Sequence, residues 1–275
     1  MAKPFISENA EVGTSHGGNM QTNERYIVPA VEQAFRMLFH MAFTGSSQFS
    51  LIKISSELDI HKSKAFSILQ TLQKFGVVQR NSNRGGYSLG PGLIGLARSF
   101  LDNLNVLALA EPVLERLAGK IGSTAALGLI AGRSVIVVSK HEGGKGIAVT
   151  MRVGQHFPLT YGCHGKAIAA FMSKKSLDEL LKEKRLYFQG DPSRFDRNKL
   201  MPDLERCRRE WFAEDAEETA PGLNAVAAPV LGPNGYPIGY VVVLGLISRK
   251  ATREHGPLVA EAGKILSRQL GARLD

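Results

Sequence analysis

Apolar positions recur at helical spacing along the first quarter of the chain. In residues 27–42, Val31, Ala34, Phe35, Leu38 and Met41 fall on one face and predict a helix packed through them. The run Gly45-Ser46-Ser47 breaks it. Ser50 then offers an N-cap ahead of Leu51, Ile54 and Leu58, a second helix. A turn at Asp59-Ile60-His61 leads to a third helix over residues 62–75, with Ala65, Leu69, Leu72 and Phe75 inward and Gly76 as its stop. Residues 77–80 and 87–89 read as two short strands around Asn81-Ser82-Asn83-Arg84-Gly85-Gly86, residues that tolerate a tight turn. Helix, helix, turn, helix and hairpin together predict a winged helix-turn-helix. Residues 93–104 predict a connecting helix.

Beyond this block the pattern mixes periods. Helices are expected over 109–120 (Pro112 in the first turn), 165–172, 176–184 (Ser176 and Glu179 as a capping box), 201–212 and 258–270. Strands are expected over 125–130 and 134–140, joined at Ala131-Gly132-Arg133. Others are expected at 147–153 and at 226–231 and 238–246, the last two joined by Gly232-Pro233-Asn234-Gly235. Antiparallel hairpins interleaved with helices predict an α+β sheet covered by helices. The division expected is a disordered tail over 1–25, a DNA-binding domain over 26–91, a linker helix over 92–107 and a second domain over 108–275.

Charge narrows the class of partner. The 275 residues carry a net charge of +9, and residues 27–100 hold eight Lys and Arg against three Asp and Glu. A polyanion is the expected partner of that block, with no role for a membrane: the longest apolar run, 241–247, is far too short to span one. Two cysteines make neither a disulfide framework nor a zinc pattern, and no secretory signal is visible, so a cytoplasmic protein is expected, with no cofactor. On the third helix the outward positions are Lys62, Ser63, Lys64, Ser67, Gln70 and Lys74. Lysines neutralise phosphates, while Ser and Gln bond to base edges. Lys53 and, at the wing tip, Arg84 complete the candidate surface for double-stranded DNA. The competing reading is a solvated helix face.

Taken together, several segments resemble the IclR family of bacterial regulators. They are Val28-Pro29-Ala30-Val31-Glu32-Gln33-Ala34; residues 51–72; Tyr87-Ser88-Leu89-Gly90; Gly154, Pro158-Leu159 and Gly165-Lys166-Ala167; Glu217-Glu218 with Gly222; and Ala227-Ala228-Pro229-Val230. The resemblance spans residues 27–271. It implies a winged helix-turn-helix, a linker helix and a GAF-like effector domain. It also implies homodimers or dimers of dimers on pseudo-palindromic operators, acting as repressors or activators of catabolic operons. There are departures: Ser67 replaces a common arginine, and Pro158-Leu159-Thr160-Tyr161-Gly162-Cys163 replaces the usual motif before Gly165.

Carried over from the family, the effector site comprises the backbone N–H groups of Cys163 and His164, with Val149, Asp215, Leu223, Ala225, Val242 and Leu244. Val242 and Leu244 stand where a sensor of two- or three-carbon acids has serines. That predicts a larger, more apolar effector, such as an aromatic acid, unless the two merely fill a core strand. Other readings stay open beside this one. Cys163 with His164 could make a thiol nucleophile, although no third orienting group is evident. His141, Glu142 and Asp215 could join them around a metal. Lys166 lacks the glycine-rich loop of a nucleotide site. The protein is expected not to be an enzyme; a fused enzyme and a ligand-independent DNA-binding protein are the alternatives.

Overall fold

The structure is a computed structural model describing residues 27–44, 46, 48–81, 86–96, 106–144 and 149–274. The chain forms two compact units, 1–103 and 104–275. The expected tail and Arg84 lie outside the described residues, as does most of the expected linker, of which 92–96 are helical.

In the first unit, α1 (Pro29–Phe43), α2 (Leu51–Glu57) and α3 (Lys62–Lys74) precede the antiparallel hairpin β1 (Val78–Arg80) and β2 (Tyr87–Leu89). Pro29 opens α1, where a missing N–H costs nothing. The Ser50 side chain caps α2 by accepting from the Lys53 N–H at 3.2 Å. Met37, Met41, Ile54, Ala65 and Leu69 meet Val78 and Tyr87 in one core, and Phe49 ties into the wing through a bridge to Tyr87. Gly76, at φ +69°, ends α3, and the chain returns so close to it that a Cβ on Gly90 would sit 2.2 Å from the Gly76 carbonyl oxygen.

Three inward assignments fail here. Val31 and Phe35 of α1 are 52% and 55% exposed; the buried stripe is Ala34, Met37, Leu38 and Met41, and α1 carries apolar side chains on two faces. Phe75 is 70% exposed, because α3 has already ended at Lys74.

The second unit is a six-stranded antiparallel sheet in the order β5-β4-β3-β8-β7-β6, with β3 (Thr124–Ala131), β4 (Ser134–Glu142), β5 (His156–Pro158), β6 (Ala213–Ala216), β7 (Asn224–Leu231) and β8 (Pro237–Gly245). Helices cover both faces. On one, α4 (Val106–Ile121) and α8 (Arg249–Gln269) pack on Leu127, Val226, Val241 and Val243. On the other, α5 (Gly162–Ala170), α6 (Lys174–Leu180) and α7 (Arg197–Glu210) lie over Ala126, Ala227, Tyr240 and Val242. The central strands are therefore apolar on both faces, with successive side chains entering alternate cores.

α5 starts at Gly162 and α6 at Lys174, both ahead of the expected residue, and so do three others: α4 at Val106, α7 at Arg197 and α8 at Arg249. Each of these three contains an internal proline, respectively Pro112, Pro202 and Pro257. A proline marks a first turn in isolation; here packing against the sheet offsets the one lost hydrogen bond. Asp196 and Ser248 cap the true starts of α7 and α8. The cap of α6 is Ser173, not Ser176, whose N–H donates to the Ser173 hydroxyl at 3.1 Å. The strand expected over 147–153 is not formed in its described part, 149–153, which the Thr124 hydroxyl holds by donating to the Val149 carbonyl at 2.7 Å. The edge strands β5 and β6 had not been expected.

Candidate functional site

On α3, Ala65, Ile68 and Leu69 bury one face. At 100° per residue, Ser63, Ser67, Gln70 and Lys74 lie opposite, with Lys62 and Lys64 on the flanks. These six and Lys53 are all exposed. The Ser67 and Thr71 hydroxyls donate to carbonyls one turn back, at 3.0 and 2.9 Å, which keeps the helix surface compact and leaves their lone pairs outward. From residue 60 to residue 101 there is no Asp or Glu. Phe66, 44% exposed, and Thr71 join this face and were missed; nothing in the apolar periodicity separates an outward Phe from an inward one.

The second unit holds a cavity of about 200 Å³ between the sheet and the first turn of α5. All eight residues carried over as effector positions line it: Val149, Cys163, His164, Asp215, Leu223, Ala225, Val242 and Leu244. Ala225 and Leu244 are register partners on β7 and β8, and Val242 lies two residues along, so one sheet face makes the floor. Phe157, Tyr161, Gln155 and Thr219, which sequence reasoning missed, complete much of the wall. Among the described residues no Lys or Arg lines it.

At the head of α5 the Gly162 N–H donates to the Tyr187 carbonyl at 3.1 Å, and Cys163 and His164 follow in the first turn, where N–H groups have no intrahelical acceptor. That turn is pressed tightly against its own lead-in: a Cβ on Gly165 would lie 2.3 Å from the Thr160 carbonyl carbon. Asp215, buried on β6, accepts from the Glu218 and Thr219 N–H groups at 2.8 and 3.3 Å through Oδ1. A Cβ placed on Gly162 would lie 3.0 Å from Asp215 Oδ2 and 3.0 Å from Thr219 Cγ2.

Behind the cavity, Lys166 is fully buried and donates to Glu218 Oε2 at 2.5 Å, Asp203 Oδ2 at 3.0 Å and the Glu214 carbonyl at 3.3 Å. Burial disfavours its charge, but the facing Glu218 and Asp203 outweigh that and hold its pKa above the ordinary lysine range. Glu218 is itself pushed up by burial, against the pull of Lys166. Lys166 thus ties α5, α7 and the turn after β6 together.

Electrostatics oppose the nucleophile reading. Burial and the Asp215 carboxylate push the Cys163 thiol well above its usual range, so the helix N-terminus does not yield a thiolate. Burial lowers His164 to about 3, and its ring is held by a hydrogen bond to the Pro158 carbonyl. Among the described residues no group of three His, Cys, Asp or Glu is placed to hold a metal ion, and no helix is long and apolar enough to cross a membrane.

The profile of the bacterial transcriptional regulator IclR C-terminal domain matches residues 98–269. The HTH-type transcriptional regulator XynR of Escherichia coli (strain K12) is 28% identical over 89% of this chain and 98% of its own length. The HTH-type transcriptional regulator BhcR of Paracoccus denitrificans (strain Pd 1222) is 29% identical over 90% and 89%. Among solved structures, an IclR transcriptional regulator from Alicyclobacillus acidocaldarius superposes with a TM-score of 0.77 at 26% identity, covering 90% of this chain and all of that one. These relatives are transcription regulators rather than enzymes, and the matched profile covers more than half of the sequence: the chain belongs to the IclR family of bacterial transcriptional regulators.

Proposed function

We propose that this regulator is ligand-responsive: the α3 face engages double-stranded operator DNA, and the cavity at the head of α5 binds a small organic acid with an apolar body. The lining of one cavity by all eight residues carried over from the family's effector site is the observation that supports it. A carboxylate would sit against the first-turn N–H groups of α5, where the helix dipole favours an anion. Val242, Leu244, Leu223 and Phe157 suit an aromatic or branched body better than a two-carbon acid, which needs polar partners on every side. One structural neighbour, an IclR homologue from Microbacterium hydrocarbonoxydans, is complexed with 4-hydroxybenzoate. At 16% identity and a TM-score of 0.72 it shares the fold alone.

The DNA-binding form is a homodimer or a dimer of dimers in this reading. An exposed apolar stripe on α1, formed by Val28, Val31 and Phe35, supports self-association. The target is a catabolic operon in the cytoplasm, and the effector acts by binding two arrangements of the paired winged helices unequally.

The test is fluorescence anisotropy on the region upstream of its own gene, with random DNA as control and with aromatic and short aliphatic acids added. Selective binding altered by an aromatic acid is expected. Equal affinity for both DNAs, or a response to glyoxylate or pyruvate alone, would refute the reading.

A further inference from the structure

One residue of the cavity wall holds a buried polar atom without a partner. His164 lines the cavity and is 4% exposed; its ring is bonded to the Pro158 carbonyl, yet its Nε2 is buried with no hydrogen-bond partner. A carbonyl accepts only from an N–H, so Nδ1 carries the proton and Nε2 presents a lone pair. The ring cannot turn to relieve it. It stacks on Tyr240 with centroids 4.4 Å apart at 15°, and Phe157 and Tyr161 flank it at 5.7 Å. A buried acceptor left bare is costly, and such atoms mark places that a ligand or an ordered water completes.

Around it, the charged inventory is one-sided. Among the described residues that line the cavity, Asp215 is the only Asp, Glu, Lys or Arg, and a carboxylate can only accept while ionised. Burial keeps the His164 imidazole neutral far below neutral pH, so it too accepts rather than donates. A plain acid offers its carboxylate to the α5 N–H groups and nothing to these two acceptors. A molecule that also carries a hydroxyl or N–H satisfies them.

We infer that the His164 side chain is a specificity-determining residue that accepts a hydrogen bond from a hydroxyl or N–H of the effector, so that the effector is a donor-bearing carboxylic acid. This rests on the cavity being the effector site. It goes beyond that reading by assigning the discrimination to one nitrogen and the ligand class to hydroxylated or amide-bearing acids. The rival occupant is a resident water at Nε2, which would leave donor-bearing and plain acids equivalent.

The experiment is titration calorimetry on the full chain with matched pairs: 4-hydroxybenzoate and benzoate, 4-hydroxyphenylacetate and phenylacetate, 2-hydroxyhexanoate and hexanoate. The expected result is a preference of at least tenfold for the hydroxylated member of the pair that binds best. That preference should fall to within threefold in His164→Phe, which keeps a flat ring on Tyr240. A purely structural role would weaken both members together and leave their ratio intact. The wild-type ratio needs no variant, and His164→Gln, which restores an acceptor oxygen, should recover part of the preference if the Phe variant folds poorly. Equal affinities within every pair, or a ratio unchanged in both variants, overturns the inference while leaving the acid site standing. If no acid of any pair binds, the inference and the acid reading fall together.

Discussion

Replacing Lys166 by Met removes the one cation that faces two carboxylates behind the cavity. Breaking a buried ion pair from one side costs about 3–5 kcal/mol where both partners are fully desolvated. Here the Lys166 side chain is 2% exposed, but Glu218 is 32% and Asp203 19% exposed, so both acids regain some water. Asp203 also keeps Arg206 at 2.6 Å, whereas Arg194 reaches only the Glu218 carbonyl; Glu218 is thus the acid stranded. A loss of about 2–3 kcal/mol is expected, below the fully buried range. With a urea dependence of about 2 kcal/mol per molar, the midpoint falls by roughly 1–1.5 M. The chain's single tryptophan, Trp211, packs against Phe171 at the end of α5, so its fluorescence follows the unit in which Lys166 lies. Adding Glu218→Gln to the Lys166→Met background should return about 1–2 kcal/mol, because the stranded charge is then gone. A midpoint shift under 0.3 M, or no recovery in the double variant, would refute the reasoning.

Three further outcomes follow from the same structure. Lys62→Ala with Lys64→Ala should flatten the log–log salt dependence of operator binding by roughly 2, about 0.9 per lost phosphate contact; an unchanged slope would take α3 out of the groove. Gly165→Ala should cost about 3 kcal/mol in chemical unfolding, since its Cβ meets backbone 2.3 Å away rather than a side chain that can swing aside; a loss under 1 kcal/mol would contradict that contact. Acid should weaken the second unit through His164: its folded pKa is lowered to about 3 while the unfolded value is about 6.5, so the unfolded chain takes the proton first. The stability is complete above pH 6.5 and drains as pH falls towards 3, by about 2 kcal/mol between pH 6.5 and 5. Unfolding at those two pH values in wild type and His164→Phe isolates the effect, and identical pH dependence in both would disprove it.

Elements with one apolar stripe or a strong turn were legible in the sequence. The hairpin of β7 and β8 follows from Gly232-Pro233-Asn234-Gly235, and the winged helix-turn-helix from the spacing of Ile54, Leu58, Ala65 and Leu69. Where a segment carries two apolar faces, period alone does not choose between them. On α1, tertiary packing keeps Ala34, Leu38 and Met41 of the expected face, adds Met37 and leaves Val31 and Phe35 exposed. Prolines misled in the other direction, because Pro112, Pro202 and Pro257 look like first-turn residues and lie well inside helices. The β5 strand has only three residues and owes its existence to pairing with Ser134–Ile136, information that no local window contains.

The candidate site divides in the same way, and the division has a physical cause. Its apolar floor came from the family resemblance rather than from periodicity: Ala225, Val242 and Leu244 were carried over as pocket positions, and the register of β7 and β8 puts them on a single face. Cys163, His164 and Asp215 came by the same route, but the ion cluster behind them was not legible. Every residue of α5 is buried, so the helix has no amphipathic signature; Gly, Ala and Cys allow it to lie close on all sides. A lysine in such a helix can stay charged only if acids come to it, and Asp203 and Glu218 arrive from 37 and 52 residues away. Glu218 then presents its own N–H to Asp215, so the acid that neutralises Lys166 also orients the acceptor inside the cavity. Buried ion cluster and ligand acceptor are consequently one construction, joined through a single residue. If the proposed effector site is occupied, a ligand bonded to Asp215 would act on a carboxylate that shares Glu218 with the Lys166 cluster, and so on residues that join α5 to α7.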